Sequence, residues 1–103
     1  LLNLAKALEK AGSKFIVLEC VSISASKAIT ENLSIPTIGI GSSKYCDGQV
    51  LVIDDLLNID SKQKKPKFVK SFANIEKNII RGIEKFIKDV KNKKFPSYKH
   101  SYK

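Results

Sequence analysis

An α/β fold with parallel strands is what this sequence predicts, on three observations. Short apolar runs rich in strand formers alternate with stretches whose apolar residues recur at helical spacing. The first apolar run is nearly continuous instead of alternating, the pattern of a strand covered on both faces. Turn residues punctuate the series at Gly12, Pro36 and Asp47-Gly48.

Leu1, Leu4, Leu8 and Ala11 lie at helical spacing, and Gly12 follows where a glycine closes a helix. Lys14 to Glu19 (KFIVLE) is the first strand. Ser24 offers an N-cap for a helix from Ala25 to Leu33, with Ala25, Ala28, Ile29 and Leu33 as its apolar stripe, and Pro36 stops it. Thr37 to Ile40 is the second strand, running into Gly39-Ile40-Gly41-Ser42-Ser43. A third strand is expected from Gln49 to Ile53, ending in Asp54-Asp55. Three strands with helices on one side leave raw sheet edges, so closure into a barrel needs strands this chain does not contain.

Residues 56–71 form a polar connection, with the lysine-rich block Lys62 to Lys67 read as a solvated loop. The longest helix follows, from Phe72 or Asn74 to Lys91. Its stripe is Ile75, Ile79, Ile80, Ile83, Phe86, Ile87 and Val90, with Lys77, Lys85 and Lys88 outside it. A tail from Phe95 to Tyr102 closes the chain. No internal repeat or linker divides it, so residues 1–103 are one partial domain. The chain begins at Leu1 and contains no Met, which reads as a fragment or processed piece.

The formal net charge of +9 invites a nucleic-acid reading. Residues 1–61, however, hold 5 Lys against 7 acids, while residues 62–103 hold 13 Lys and Arg81 against 3 acids. The excess therefore belongs to the last part of the chain. Lys (18 residues) and Ile (13 residues) are both favoured by AT-rich codons, so a lysine-heavy solvated face accounts for it. With a single Arg and no stacking pattern among the tail aromatics, no nucleic-acid partner is expected. No apolar run has the roughly 18 residues a membrane span needs, and Lys6, Glu9 and Lys10 break up any signal-peptide pattern. Cys20 and Cys46 form no C-x-x-C motif, and two reduced thiols in a cytoplasmic protein are expected.

In parallel α/β folds, catalytic groups gather at the C-terminal ends of strands. That rule selects Glu19, the loop Gly39 to Ser43, and Asp54-Asp55. Glu19 ends an apolar run, where desolvation raises a carboxyl pKa toward the range of a general base. A Glu that caps a barrel mouth or bonds a neighbouring Lys fits the position as well. The glycines offer bare backbone N–H groups to a substrate, or equally a tight turn. Asp54 and Asp55, adjacent on a strand, point to opposite faces and cannot chelate one ion unaided, and Asp55 reads better as the N-cap of a following turn. His100 is the only histidine, and no cluster has metal-ligand spacing.

Several segments together carry a resemblance. Phe15-Ile16-Val17-Leu18-Glu19-Cys20-Val21 is similar to the segment bearing the catalytic Glu of ketopantoate hydroxymethyltransferases. Ile35 to Gly41 (IPTIGIG), Cys46 to Val52 (CDGQVLV), Pro66 to Lys70 (PKFVK), and the ending Phe95-Pro96 with His100-Ser101-Tyr102 resemble that family's later motifs in the same order. The chain departs from the pattern at Ser42-Ser43, where Ala-Gly is usual, at Asp54-Asp55, where His-Asp is usual, and at Asn58, where Gly is usual.

The resemblance implies the C-terminal part of a (β/α)₈ TIM barrel: the last three strands with their outer helices. It implies hydroxymethyl transfer from 5,10-methylenetetrahydrofolate to 3-methyl-2-oxobutanoate, giving ketopantoate for pantothenate biosynthesis. Glu19 matches the family's proton acceptor, and Gly39, Gly41 and Ser42 border the substrate pocket. Mg²⁺, chelated by the keto acid, is expected on ligands in an N-terminal part absent from this chain, with no metal ligand here. A homo-oligomer acting on small molecules is expected, and the isolated chain is expected to be inactive. The alternatives are a non-catalytic remnant retained for assembly and, further off, a small basic nucleic-acid-binding domain.

Overall fold

The structure is a computed structural model that describes residues 1–103. Its elements run α1 (Leu2–Lys10), β1 (Ile16–Glu19), α2 (Ile23–Asn32), β2 (Thr37–Ile40), β3 (Gly48–Gln49), α3 (Ile53–Leu57), α4 (Ile75–Lys91) and a 3₁₀ turn at Tyr98–His100. The three strands form one parallel sheet in the order β1-β2-β3, with Leu18 opposite Gly39 and Gly39 opposite Gln49.

Local chemistry accounts for most boundaries. Gly12, at φ +104°, ends α1: its N–H bonds the Glu9 carbonyl and the Ser13 N–H bonds the Leu8 carbonyl, which satisfies two terminal acceptors. Glu9 then fastens the end of α1 to the turn before β2. Its Oε1 accepts the N–H of Ser34 at 2.7 Å and of Ile35 at 3.1 Å.

Two expectations need correction. The second helix starts at Ile23, and its N-cap is Ser22, not Ser24; Ser22 is extended and its Oγ accepts the Ala25 N–H at 3.4 Å. Ser24 is already inside the first turn. The third strand does not reach Ile53. Only Gly48–Gln49 pair with β2, followed by one more bond from the Val50 N–H to the Gly39 carbonyl at 3.0 Å. Beyond Ile40 the partner chain bends away at Gly41 (φ +62°), so β3 has no ladder to continue along. Asp54 and Asp55 therefore lie in the first turn of α3, where carboxylates complement the helix dipole, and the N-cap is Val52. The αL position that ends α3 is Asn58 (φ +52°), a residue that tolerates this region.

Residues 41–47 connect β2 to β3 without a helix, shorter than parallel crossovers usually allow. The strands are short enough for it, and Asp47 secures the return. Its Oδ2 accepts the Thr37 N–H at 2.8 Å and the Thr37 hydroxyl at 3.2 Å, while Thr37 shares a 2.7 Å hydrogen bond with Thr30 of α2.

Both α1 and α2 cover the same sheet face. Ala5, Leu18, Ile29 and Cys46 form the core, with Leu2, Ile16, Val21 and Leu33 packed against it. The alternate residues of β1, Val17 and Glu19, pair with Ile38 and Ile40 on the opposite face. No helix covers that face, and Val17 is 49% exposed. The expectation of strands buried on both sides is thus met on one side only. The polar connection after α3 folds back: the Phe72 N–H bonds the Leu56 carbonyl at 2.8 Å, and Lys65 donates to both Asn58 and Ser71. Beyond it α4 extends outward with its stripe exposed from Ile79 to Val90, and the molecule measures 68 × 31 × 16 Å.

Candidate functional site

The C-terminal ends of β1 and β2 meet where the sequence places its candidates. Glu19 is the last residue of β1, opposite Ile40. It is exposed, on the sheet face that lacks a helix layer. Its carboxylate makes no hydrogen bond or ion pair within the chain; the one ion pair is Lys27–Glu31 at 3.7 Å, on α2. The burial expected at the end of an apolar run is not supplied by these residues.

Immediately after Glu19 the backbone turns sharply. Cys20 adopts φ +54°, which is uncommon outside glycine, and its N–H bonds the Ile40 carbonyl at 2.9 Å. Ser42, from the loop after β2, reaches across to the same turn. Its Oγ donates to the Leu18 carbonyl at 2.6 Å and accepts the Val21 N–H at 3.1 Å.

The three pocket candidates occupy different surroundings. Gly39 is buried on the helix-covered face; a Cβ there would lie 2.9 Å from the Gln49 amide and 3.1 Å from Cys46 Sγ, so its bareness serves close packing. Gln49 in turn donates to the Ser43 carbonyl at 2.8 Å. Gly41 lines an open cavity of about 380 Å³ with Val50, Leu56, Phe68, Lys70 and Phe72, and a Cβ on it would meet the Phe68 ring at 2.7 Å. The Ser42 hydroxyl proton is committed to the backbone of β1, so this side chain orders the rim of the site.

Sequence reasoning missed the Ser42 bridge to β1 and the Phe68 wall over Gly41. The bridge joins residues 24 apart, which no local pattern signals. The only trace of the wall was Phe68 within the Pro66-Lys67-Phe68 motif. No three His, Cys, Asp or Glu side chains converge anywhere in the chain. No helix is long and apolar enough to cross a membrane.

Comparison with known proteins bears on the same residues. The family model described as ketopantoate hydroxymethyltransferase matches residues 1–98. Curated relatives named 3-methyl-2-oxobutanoate hydroxymethyltransferase are 57% identical over 99 residues in Clostridium botulinum (strain 657 / Type Ba4) and 51% over 100 residues in Thermoanaerobacter sp. (strain X514). A third, from Pelagibacter ubique (strain HTCC1062), is 54% identical over 98 residues. These alignments cover 96%, 97% and 95% of this chain respectively. The chain spans 36–37% of the length of these relatives.

Proposed function

The chain belongs to the ketopantoate hydroxymethyltransferase family, and from that premise we propose that it is one side of a (β/α)₈ barrel and carries the proton acceptor of the transfer reaction. The observation that carries this reading is the place of Glu19. It ends β1 on the face shared with Val17, Ile38 and Ile40, the face a closed barrel turns inward. Catalytic groups of such barrels project from strand C-termini.

The substrate is 3-methyl-2-oxobutanoate. Glu19 takes the C3 proton, which is acidified by the adjacent keto group. Water breaks the two C–N bonds of the methylene group of 5,10-methylenetetrahydrofolate, so that tetrahydrofolate leaves and the carbon remains at the formaldehyde level with the water oxygen on it. The enolate carbon attacks that carbon, and the alkoxide formed takes a proton to give ketopantoate for pantothenate synthesis. A carboxylate surrounded by strand-end side chains and the rest of a closed barrel acquires the desolvation that raises its basicity. The loop Gly39-Gly41-Ser42 borders the keto acid, with Gly41 giving its backbone close approach.

The residues of this chain do not fit a Mg²⁺ site, because no cluster of three candidate ligands exists. Any ligands belong to parts of the family's length outside this chain, and no step is derived through the ion. The complete protein is a cytoplasmic homo-oligomer acting on small molecules, with neither nucleic acid nor membrane as partner.

The test is Glu19→Gln in the complete enzyme. Glutamine keeps the size but cannot take a proton at neutral pH, so kcat falls by about 10²–10⁴-fold while KM changes little. Near-wild-type turnover in a folded variant would mean that Glu19 is not the base.

A further inference from the structure

We propose that the cavity beside Gly41 is the subsite for the p-aminobenzoyl-glutamate arm of the folate co-substrate. Phe68 and Phe72 flank the ring of that arm, and Lys70 takes a glutamate carboxylate. The inference rests on the hydroxymethyl-transfer reading for its ligand, while the cavity and its lining are independent of that reading. Gly41 directly follows Ile40, the register partner of Glu19, so the cavity opens beside the strand ends that carry the candidate base. Its volume of about 380 Å³ lies within the roughly 300–1,000 Å³ of pockets for drug-sized molecules. The small keto acid would leave much of it unfilled.

The lining matches the chemistry of such an arm. Lys70 is the only charged side chain on the wall, and it has no carboxylate partner, the one ion pair of the chain being Lys27–Glu31. Its Nζ lies 5.0 Å from the centroid of the Phe72 ring, so a cation and an aromatic face stand side by side. A ligand that is both aromatic and anionic meets the two together, ring against ring and carboxylate against ammonium. The backbone fixes this arrangement. The Phe72 N–H bonds the Leu56 carbonyl at 2.8 Å, and the Ser71 hydroxyl donates to the Asp55 carbonyl at 2.8 Å while accepting from Lys65 at 2.8 Å. These bonds fasten the segment carrying Lys70 and Phe72 to α3. Phe68 is seated by Gly41, where a Cβ would come within 2.7 Å of its ring.

The experiment uses the complete enzyme with Lys70→Gln, Lys70→Arg and Phe72→Ala. Each is measured with 5,10-methylenetetrahydrofolate and with 5,10-methylenetetrahydropteroate, the analogue that lacks the glutamate. Lys70 is exposed, so its replacement leaves the fold intact. Lys70→Gln should raise KM for the folate about 10-fold with the KM of the keto acid nearly unchanged, and Lys70→Arg should recover most of the affinity. With the glutamate-free analogue, wild type and Lys70→Gln should have equal KM values, because the carboxylate that Lys70 meets is missing. Phe72→Ala should weaken both co-substrates about 3- to 10-fold, since they share the ring. Calorimetric binding of tetrahydrofolate should follow the same order without turnover. An unchanged folate KM in Lys70→Gln, or an equal loss with both co-substrates, overturns the assignment. A rise confined to the keto acid overturns it too and gives the cavity to that substrate. Full turnover in Glu19→Gln, or an enzyme that forms no ketopantoate, defeats the functional reading instead, and the calorimetry still reports the cavity.

Discussion

Glu9 is the residue whose ionisation the fold perturbs most clearly. The Ser34 N–H, donating at 2.7 Å, holds its carboxyl below the ordinary carboxylate range; burial opposes this, and the Ile35 N–H at 3.1 Å and the charge of Lys6 add to it. A carboxyl whose folded pKa is depressed contributes stability above its ordinary titration range and loses it as pH falls through the folded value. Glu9→Gln should therefore be less stable than wild type at about pH 7, with the gap closing by about pH 3. Denaturant titrations at the two pH values check it, and a gap that persists in acid would assign Glu9 a role in packing instead of charge. The Glu19 carboxylate, by contrast, is exposed and has no hydrogen bond or ion pair within the chain.

At the scale of elements, the junction between β2 and β3 depends on Asp47. Thr37 is fully buried, and its N–H is satisfied by the Asp47 carboxylate alone among side chains. Asp47→Ala strands that N–H and loosens the hydroxyl pair with Thr30, which should cost about 2 kcal/mol in denaturant unfolding of the complete protein. Asp47→Asn retains an acceptor oxygen and should cost less. Equal losses in the two variants would show that the charge, not the hydrogen bond, holds the junction. The helix α4 presents the reverse situation. Its periodicity is the strongest in the chain, yet Ile79, Ile83 and Phe86 are 45%, 55% and 56% exposed, with Phe95 of the tail 5.7 Å from Phe86 between ring centroids.

For the molecule as a whole, 8 of 103 residues are buried and the radius of gyration is 22.6 Å. A compact domain of about 100 residues has about 13 Å. Both outer strands have a free edge, and one sheet face has no cover. Purified by itself, the 103-residue chain should unfold without a sharp thermal transition and bind an apolar fluorescent dye strongly. It should also form no ketopantoate, since no side chains of this chain can chelate the keto acid through a metal. A cooperative transition with detectable product formation would contradict both expectations.

Much of this was legible in the residues. The apolar periodicity of α1 and α4, the Gly12 stop, the strand runs before Glu19 and Ile40, and the αL tolerance of Asn58 are local properties, set by sterics and spacing within a few positions. The parallel pairing of β1 with β2 followed from the helix between them, whereas β3 joins in parallel through a loop without a helix; the family followed from motifs kept in register along the chain. Other features depended on neighbours distant in sequence. The third strand stopped at Gln49 because the bend at Gly41 withdraws its partner, although Val50 to Ile53 has the composition of a strand. Ser22 took the cap from Ser24 because the extended backbone at Ser22 let its oxygen reach the Ala25 N–H. Ser42 found the two ends of the Glu19 turn only once β2 lay beside β1. Spacing along a chain determines which residues can form an element, but a hydrogen bond across 24 positions exists only after the strands have paired, and that is decided by the tertiary structure.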